Sequence, residues 1–133
     1  MHLILCVDDR DGLSFCGRRL SRDSRVCEHI LSLAEGHNLW MHPYSANLFP
    51  SASVLTDEDF QQKAGQGDYC FLEITPLLGN YENLESVALY HWNRAYPATV
   101  KFDRKLIAPM HLIHTEEFTG NSHETITLER YTL

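Results

Sequence analysis

The chain has 133 residues, of which 44% are hydrophobic and 22% are charged, and its formal net charge is −7. This length and balance are typical of one soluble globular domain, and the negative charge disfavours a nucleic-acid partner, which selects a basic face. No stretch approaches the ~18 apolar residues of a membrane span, and the N-terminus has no signal-peptide pattern. The four cysteines show no C-x-x-C spacing, so we expect a cytoplasmic protein with free thiols and no membrane partner.

The first predicted element is a buried strand over residues 3–7, a continuous apolar run of the kind covered on both faces of a sheet. The run ends at Asp8 and Asp9, which places two carboxylates at the carboxyl end of a predicted central strand. Ligands bind at that end of the strands in open α/β sheets. We therefore expect Asp8 and Asp9 to form the rim of a pocket.

A polar, glycine-bearing loop with clustered aspartates and arginines, including Arg19, follows this strand. Ser21 is the predicted N-cap of the next helix, and Asp23 is expected in its first turn, where the helix dipole favours an anion. Gly36 is expected to end the helix. One apolar stripe predicts the face that this helix buries, and its residues are Val26, Ile30, Leu33 and Ala34.

Strands and helices alternate along the rest of the chain, and the C-terminus shows two alternating segments joined by a turn. Alternating elements predict a mainly parallel sheet, and the terminal hairpin adds antiparallel strands at one edge. The predicted fold class is α/β, a single domain over residues 1–133 with a mixed, mostly parallel sheet flanked by helices. The predicted strands are 39–41, 54–55, 69–74, 87–92, 99–102, 110–116 and 125–131, and the predicted helical segments are 44–49, 57–64 and 76–84.

Several strings in this order resemble dihydrofolate reductase. LILCVDDRDGLSF is similar to that family's first strand and mobile loop, and LSRDSRVCEHILSLAEGHNLWM is similar to its first helix and second strand. YCFLEI, VALYHW and the closing NSH and ITLER strings are similar to its later strands and terminal hairpin. The resemblance covers nearly the whole chain and implies a dihydrofolate reductase-like domain with oxidoreductase ancestry.

The resemblance implies a role for Asp23 as the acid that pairs with the amidine-like edge of a pteridine ring, through two charge-assisted hydrogen bonds. On this basis Asp23 is the predicted catalytic residue. The residues alone also allow a simpler interpretation, in which Asp23 is only an acidic residue at the start of a helix. Both interpretations remain open at this point.

The expected cofactor motifs differ from the family pattern. Glu73-Ile74-Thr75 stands where the family has a cis Gly-Gly beside the cofactor phosphates, a position that needs close backbone approach. Pro43 stands where an arginine contacts the NADPH 2′-phosphate, and only Ser45 keeps a hydroxyl group. The sequence therefore assigns no cofactor: NADPH remains open, but its phosphate-binding motifs are missing.

Two aromatic and basic residues, Trp92 and Arg94, follow a predicted strand and suit stacking on a flat heterocycle or nucleotide base. They also suit an ordinary amphipathic strand end.

The consecutive residues Ser122, His123 and Glu124 form no predicted triad, because neighbours in a turn do not face each other. The eight histidines lack metal-site spacing, so the ribonuclease Z label carried by some similar short proteins finds no dinuclear site here.

The sequence thus predicts a divergent dihydrofolate reductase-like protein with a pocket for a small flat heterocycle or nucleotide, and it leaves open whether the protein is an enzyme. The alternative is a non-catalytic regulatory or partner-binding module that kept the fold and lost the NADPH site. A homodimer through the terminal hairpin is also open. Besides Asp23, the predicted ligand-binding residues are Asp8, Asp9, Arg19, Ser45, Trp92 and Arg94.

Overall fold

The computed structural model describes residues 1–50, 52–78 and 83–133. They form ten strands, two α-helices and two 3-10 turns, Pro43–Leu48 and Arg104–Leu106. The helices are α1 (Ser24–Leu33) and α2 (Phe60–Lys63). The strands are β1 (His2–Val7), β2 (Gly12–Phe15), β3 (Arg18–Arg19), β4 (Leu39–Met41), β5 (Leu55–Thr56), β6 (Tyr69–Leu72), β7 (Ser86–His91), β8 (Val100–Lys101), β9 (His111–Phe118) and β10 (Ile126–Thr132).

Seven strands form the main sheet in the order β5-β4-β6-β1-β7-β10-β9. β1 pairs in parallel with both β6 and β7, and β4 pairs in parallel with β5 and β6. β10 pairs antiparallel with β7 and with β9, so the terminal hairpin forms one edge. The predicted fold class, a mixed and mostly parallel sheet with an antiparallel hairpin, is confirmed.

The central strand β1 is apolar on both faces because each face carries its own layer of core. On one side Ile4 packs with Val26 and Ile30 of α1, so the predicted apolar stripe is the buried face of that helix. On the other side Leu3 and Leu5 pack in a second cluster with residues from β6 and β7. Both faces of β1 are therefore covered, as parallel sheets require.

A second sheet has the order β3-β2-β8; β2 and β3 lie in the stretch that the sequence predicted as a loop, and β8 lies within the predicted strand 99–102. The Asp8 carboxylate folds the chain back after β1 by accepting the backbone N–H groups of Gly12 at 2.6 Å and Tyr96 at 2.9 Å. A Cβ at Gly12 would lie 2.7 Å from Asp8 Oδ1, so only glycine permits this approach. Asp8 is thus buried inside the loop junction.

Helix boundaries differ from the predicted ones for local reasons. Asp23, with φ −154°, is the N-cap of α1 instead of Ser21, because its carboxylate accepts the N–H of Arg25 at 2.9 Å. The predicted helix 57–64 is only the single turn of α2, since the Asp57 carboxylate accepts the N–H of Asp59 and forms a turn before it. The predicted segment 76–84 lies partly outside the described residues.

Candidate functional site

A narrow cavity lies between α1 and the carboxyl ends of β1 and β6. Its empty space, including the open mouth, is about 380 Å³, and most of it is narrower than a water molecule. Its lining combines apolar side chains with polar or charged ones. The lining residues are Cys6, Leu13, Arg19, Leu20, Ser21, Arg22, Asp23, Val26, Cys27, Ile30, Leu48, Phe71, Leu72, Glu73 and Trp92.

Asp23 lies at one end of this cavity with only 3% of its surface exposed. Its Oδ1 accepts the backbone N–H groups of Arg25 and Asn121, both at 2.9 Å. Its Oδ2 accepts the backbone N–H of Ser122 at 2.8 Å and Nδ1–H of His123 at 2.9 Å. The Ser122 hydroxyl also lies 3.2 Å from Oδ2. A carboxylate offers about four acceptor positions, so donors of the protein itself occupy all of them.

These contacts determine the charge of Asp23. Burial by itself raises the pKa of the carboxyl group, but hydrogen bonds from Asn121, His123, Ser122 and Arg25 outweigh it and hold the pKa well below its ordinary range. The group is therefore an anion at neutral pH. Its negative charge is directed at the protein's own donors, chiefly the loop before β10.

His123 is the contact that sequence reasoning missed. Its ring is 4% exposed, stacks on Trp92 with centroids 4.7 Å apart, and places Nε2 3.0 Å from the Ser21 hydroxyl. The sequence contained one signal for this contact, the glycine at position 120 before the loop. In the structure, a Cβ at Gly120 would lie 2.6 Å from Asp23 Oδ2. A glycine is therefore what lets this loop reach a carboxylate almost 100 residues earlier.

An ion pair between Arg19 and Glu73 forms part of the cavity lining. Arg19 Nε donates to Glu73 Oε2 at 2.7 Å, and the side chains are only 15% and 8% exposed. Ser45 donates to Glu73 Oε1 at 2.8 Å. The Arg19 guanidinium also lies 4.6 Å above the ring of Tyr44 and donates to Asn47. The planar guanidinium of Arg19 is thus held by the Tyr44 ring and by its hydrogen bonds to Glu73 and Asn47.

The residues at the expected cofactor position do not fit a dinucleotide. Glu73 follows β6 where backbone N–H groups would have to face phosphate, and it brings a buried carboxylate instead. No cis peptide bond occurs in residues 1–50, 52–78 or 83–133. Pro43 opens a 3-10 turn and has no N–H or charge to offer a phosphate.

The predicted ligand-binding residues fall into two groups. Arg19 and Trp92 line the cavity, and Ser45 reaches it through Glu73. The others lie outside it: Asp8 is inside the loop junction, Asp9 is exposed, and the Arg94 guanidinium donates to the Ser122 carbonyl at 3.3 Å. The ligand roles of all six residues, and the catalytic role of Asp23, stay predictions.

The described part of the chain has neither a metal-ligand cluster nor a membrane-spanning helix. It contains no group of three or more histidine, cysteine, aspartate or glutamate side chains that could hold a metal ion. Among the same residues, no helix has both the length and the apolar character needed to cross a membrane. All four cysteines have free thiols, and only Cys16 is exposed.

Comparison with known proteins places this architecture. No model of a protein family matches the chain, and no curated protein matches it. The structure nevertheless has the dihydrofolate reductase-like fold. One similar solved structure is dihydrofolate reductase from Enterococcus faecalis complexed with NADP(H) and RAB-propyl, with a TM-score of 0.61 and 8% identity, covering 98% of this chain and 94% of that one. At this identity the likeness establishes the fold alone.

Proposed function

We propose that this protein binds a small flat heterocycle, such as a nucleotide base, in the cavity between α1 and the sheet, without a dinucleotide cofactor. The observation that carries the proposal is the buried Arg19–Glu73 pair in the lining of a cavity whose other lining residues are mainly apolar. Burying two charges costs several kcal/mol per ion before pairing, so such pairs are weak devices for stability. A mainly apolar pocket with a few convergent polar groups is instead a candidate for a binding site.

The Arg19–Glu73 pair is better arranged than Asp23 to contact a planar ligand. All four acceptor positions of Asp23 are used by the protein itself, which leaves little to bind a ligand edge. Arg19 and Glu73 place a donor and an acceptor side by side, next to the ring of Tyr44. A heterocycle with an adjacent acceptor and donor matches that arrangement once the pair separates.

Ligand binding is testable by thermal shift. We expect at least one purine, pyrimidine or pteridine compound to raise the melting temperature, because a ligand at ~100 times its Kd adds ~2.7 kcal/mol to folding. NADPH and NADH at millimolar concentration are expected to give no shift, since Pro43 and Glu73 remove the phosphate contacts.

The matched control for this experiment is Tyr44→Leu, which removes the stacking surface beside Arg19 and leaves the ion pair intact. The shift given by an active heterocycle is expected to fall in this variant. A panel in which no heterocycle binds would overturn the proposal, and a shift with NADPH equal to that with the bases would contradict the loss of the cofactor site.

A second candidate, a partner-binding module acting as a homodimer, is favoured by the edge strand β9. Leu112 is 50% exposed and Ile113 is 55% exposed on this strand. Two imidazoles lie in its first half, and two carboxylates, Glu116 and Glu117, lie in its second half. Antiparallel pairing of two β9 strands would place the imidazoles of one strand opposite the carboxylates of the other, a hydrogen-bonding match of the kind that stabilises cross-strand pairs.

Dimerisation through β9 is expected to disappear in Ile113→Lys, because a charge on an exposed edge strand opposes pairing between chains. The measurement is the molar mass in analytical ultracentrifugation across a tenfold range of concentration. Leu78→Lys, which changes another exposed apolar residue (62% exposed) far from β9 in the sequence, is the control. A wild-type protein that stays monomeric throughout this range would overturn the homodimer proposal.

We also propose that the protein is located in the cytoplasm. The free thiols of Cys6, Cys27 and Cys70 are compatible with a reducing compartment, where cysteines stay unpaired.

A further inference from the structure

Three residues around the cavity have the arrangement of a nucleophile, a base and an orienting acid. The Ser21 hydroxyl lies 3.0 Å from His123 Nε2, and His123 Nδ1 lies 2.9 Å from Asp23 Oδ2. Nucleophile–base and base–acid distances of this size define the serine–histidine–aspartate constellation, which is recognised by geometry and not by sequence order. We propose that Ser21, His123 and Asp23 form a hydrolytic site for small esters that opens into the cavity.

The hydrogen bonds assign each ring nitrogen its role. Because the Asp23 anion accepts from Nδ1–H, the neutral ring carries its proton on Nδ1 and presents a lone pair at Nε2. That lone pair faces the Ser21 hydroxyl. Tyr96 is the competing partner, but its hydroxyl lies at 3.5 Å, so Ser21 is the closer donor. His123 is therefore the general base and Asp23 its positioning residue.

The ring cannot readily leave this position. It stacks on Trp92 at an interplanar angle of 26°, and both residues are buried. Ser122 supports the acid, because its backbone N–H donates to Asp23 at 2.8 Å while its hydroxyl donates to the Arg22 carbonyl at 3.0 Å. Catalytic geometry requires a base held on one rotamer by such supporting contacts.

Ser21 differs from its partners because it is only half-buried and lines the cavity. The adjacent backbone N–H of Arg22 donates to no acceptor among the described residues, so it is free to stabilise an oxyanion at Ser21. Cys27 also lines the cavity, but burial raises the pKa of its thiol to about 11, so it stays protonated at neutral pH. The hydroxyl is therefore the better-equipped nucleophile.

The substrate class follows from the lining. The cavity is narrow and its inner wall is built from Cys6, Val26, Ile30 and Phe71, so it selects a small apolar acyl group, for which the walls must move apart, and excludes long polar chains. This inference rests on the proposed function in one respect: the heterocycle bound in the cavity is taken to be the alcohol or acyl part of the ester. The Arg19–Glu73 pair in the cavity lining then contacts the other part of the substrate.

The reaction balances with water as the only co-substrate. Ser21 Oγ attacks the ester carbonyl carbon while its proton moves to His123 Nε2. The tetrahedral intermediate expels the alcohol, which takes that proton and leaves an acyl group on Ser21. Water then attacks the acyl carbon, gives its proton to Nε2, and the carboxylic acid departs as Ser21 recovers its proton.

Phenylmethylsulfonyl fluoride tests the nucleophile directly, because attack by an activated serine forms a sulfonyl ester and releases fluoride. We expect peptide mapping to place one sulfonyl group on Ser21 in the full chain and none in the Ser21→Ala variant. Ser24→Ala, an exposed serine three residues later, is the control and should be labelled like the wild type. Labelling at Ser122 instead of Ser21, or no labelling, would overturn the proposal.

Hydrolysis of p-nitrophenyl acetate and butyrate gives the second readout. The initial rate is expected to fall at least ~100-fold in Ser21→Ala and to stay unchanged in Ser24→Ala. Equal rates in all three proteins would refute the ester site. Thermal shift with the heterocycle panel, run on Ser21→Ala, separates the two proposals: heterocycle binding without esterase activity leaves only the binding function, and esterase activity without heterocycle binding leaves only the hydrolytic site.

Discussion

Replacing Asp23 by alanine is expected to lower the free energy of unfolding by about 4 kcal/mol, which corresponds to a fall in melting temperature of about 10–15 °C for a chain of this length. The change removes the N-cap of α1, whose loss alone costs about 1 kcal/mol. It also leaves the buried donors of Asn121, Ser122 and His123 without an acceptor. Each unsatisfied buried donor costs about 1–3 kcal/mol.

The same residue gives the protein a defined response to acid. The pKa of Asp23 is lower in the folded state than its ordinary value of about 3.9, because hydrogen bonds outweigh the effect of burial. Its contribution to stability is therefore fully present above about pH 4 and is lost as the pH falls through 3.9 towards the native pKa. We expect the stability difference between wild type and Asp23→Asn to shrink over this window in urea titrations.

Asp9→Asn is the matched control, since Asp9 is an exposed aspartate in the same charged stretch. Its substitution is expected to change the unfolding free energy by no more than about 0.5 kcal/mol, as for most surface positions. An Asp23→Ala variant as stable as Asp9→Asn would show that the loop before β10 does not depend on this carboxylate.

The fold was predictable because its main elements follow from local pattern. The apolar run of β1 reflects burial on both faces, and the alternation in β9 and β10 marks a hairpin. Of the small sheet, β8 was predicted within the strand 99–102, whereas β2 and β3 were not predicted. Its strands have two to four residues, too few to show a period, and they are held by the distant Asp8–Tyr96 hydrogen bond.

The candidate site was only half predictable. Asp23 stood out because a resemblance pointed to it, but its partner His123 lies 100 residues later. Reasoning from adjacent residues grouped His123 with Ser122 and Glu124, whereas the folded chain groups it with Ser21 and Asp23. The sequence identified Glu73 as an obstacle to phosphate but did not show that it is the ion-pair partner of Arg19. Such pairs depend on tertiary contacts, which no local pattern records.

The second large effect on stability is expected from substitutions in the Arg19–Glu73 pair. Arg19→Met is expected to destabilise the fold by about 3–4 kcal/mol, because it leaves the Glu73 carboxylate buried without its counter-charge. Glu73→Leu is expected to cost less, about 2 kcal/mol, because the long Arg19 side chain lines the cavity and can turn towards water. The double variant is expected within about 1 kcal/mol of the wild type, since apolar groups of similar volume replace both charges.

A double-mutant cycle in urea measures this coupling, and the expected interaction energy is about 4 kcal/mol or more. The exposed Lys63–Asp57 pair is the control cycle and should show no measurable coupling, because water screens it. If the double variant folds as expected, the ion pair is not needed for the fold, and its retention in the cavity lining is then explained by ligand binding. The heterocycle panel repeated on the double variant decides this: a stable protein that has lost its ligand response supports the binding role, and one that responds like the wild type refutes it.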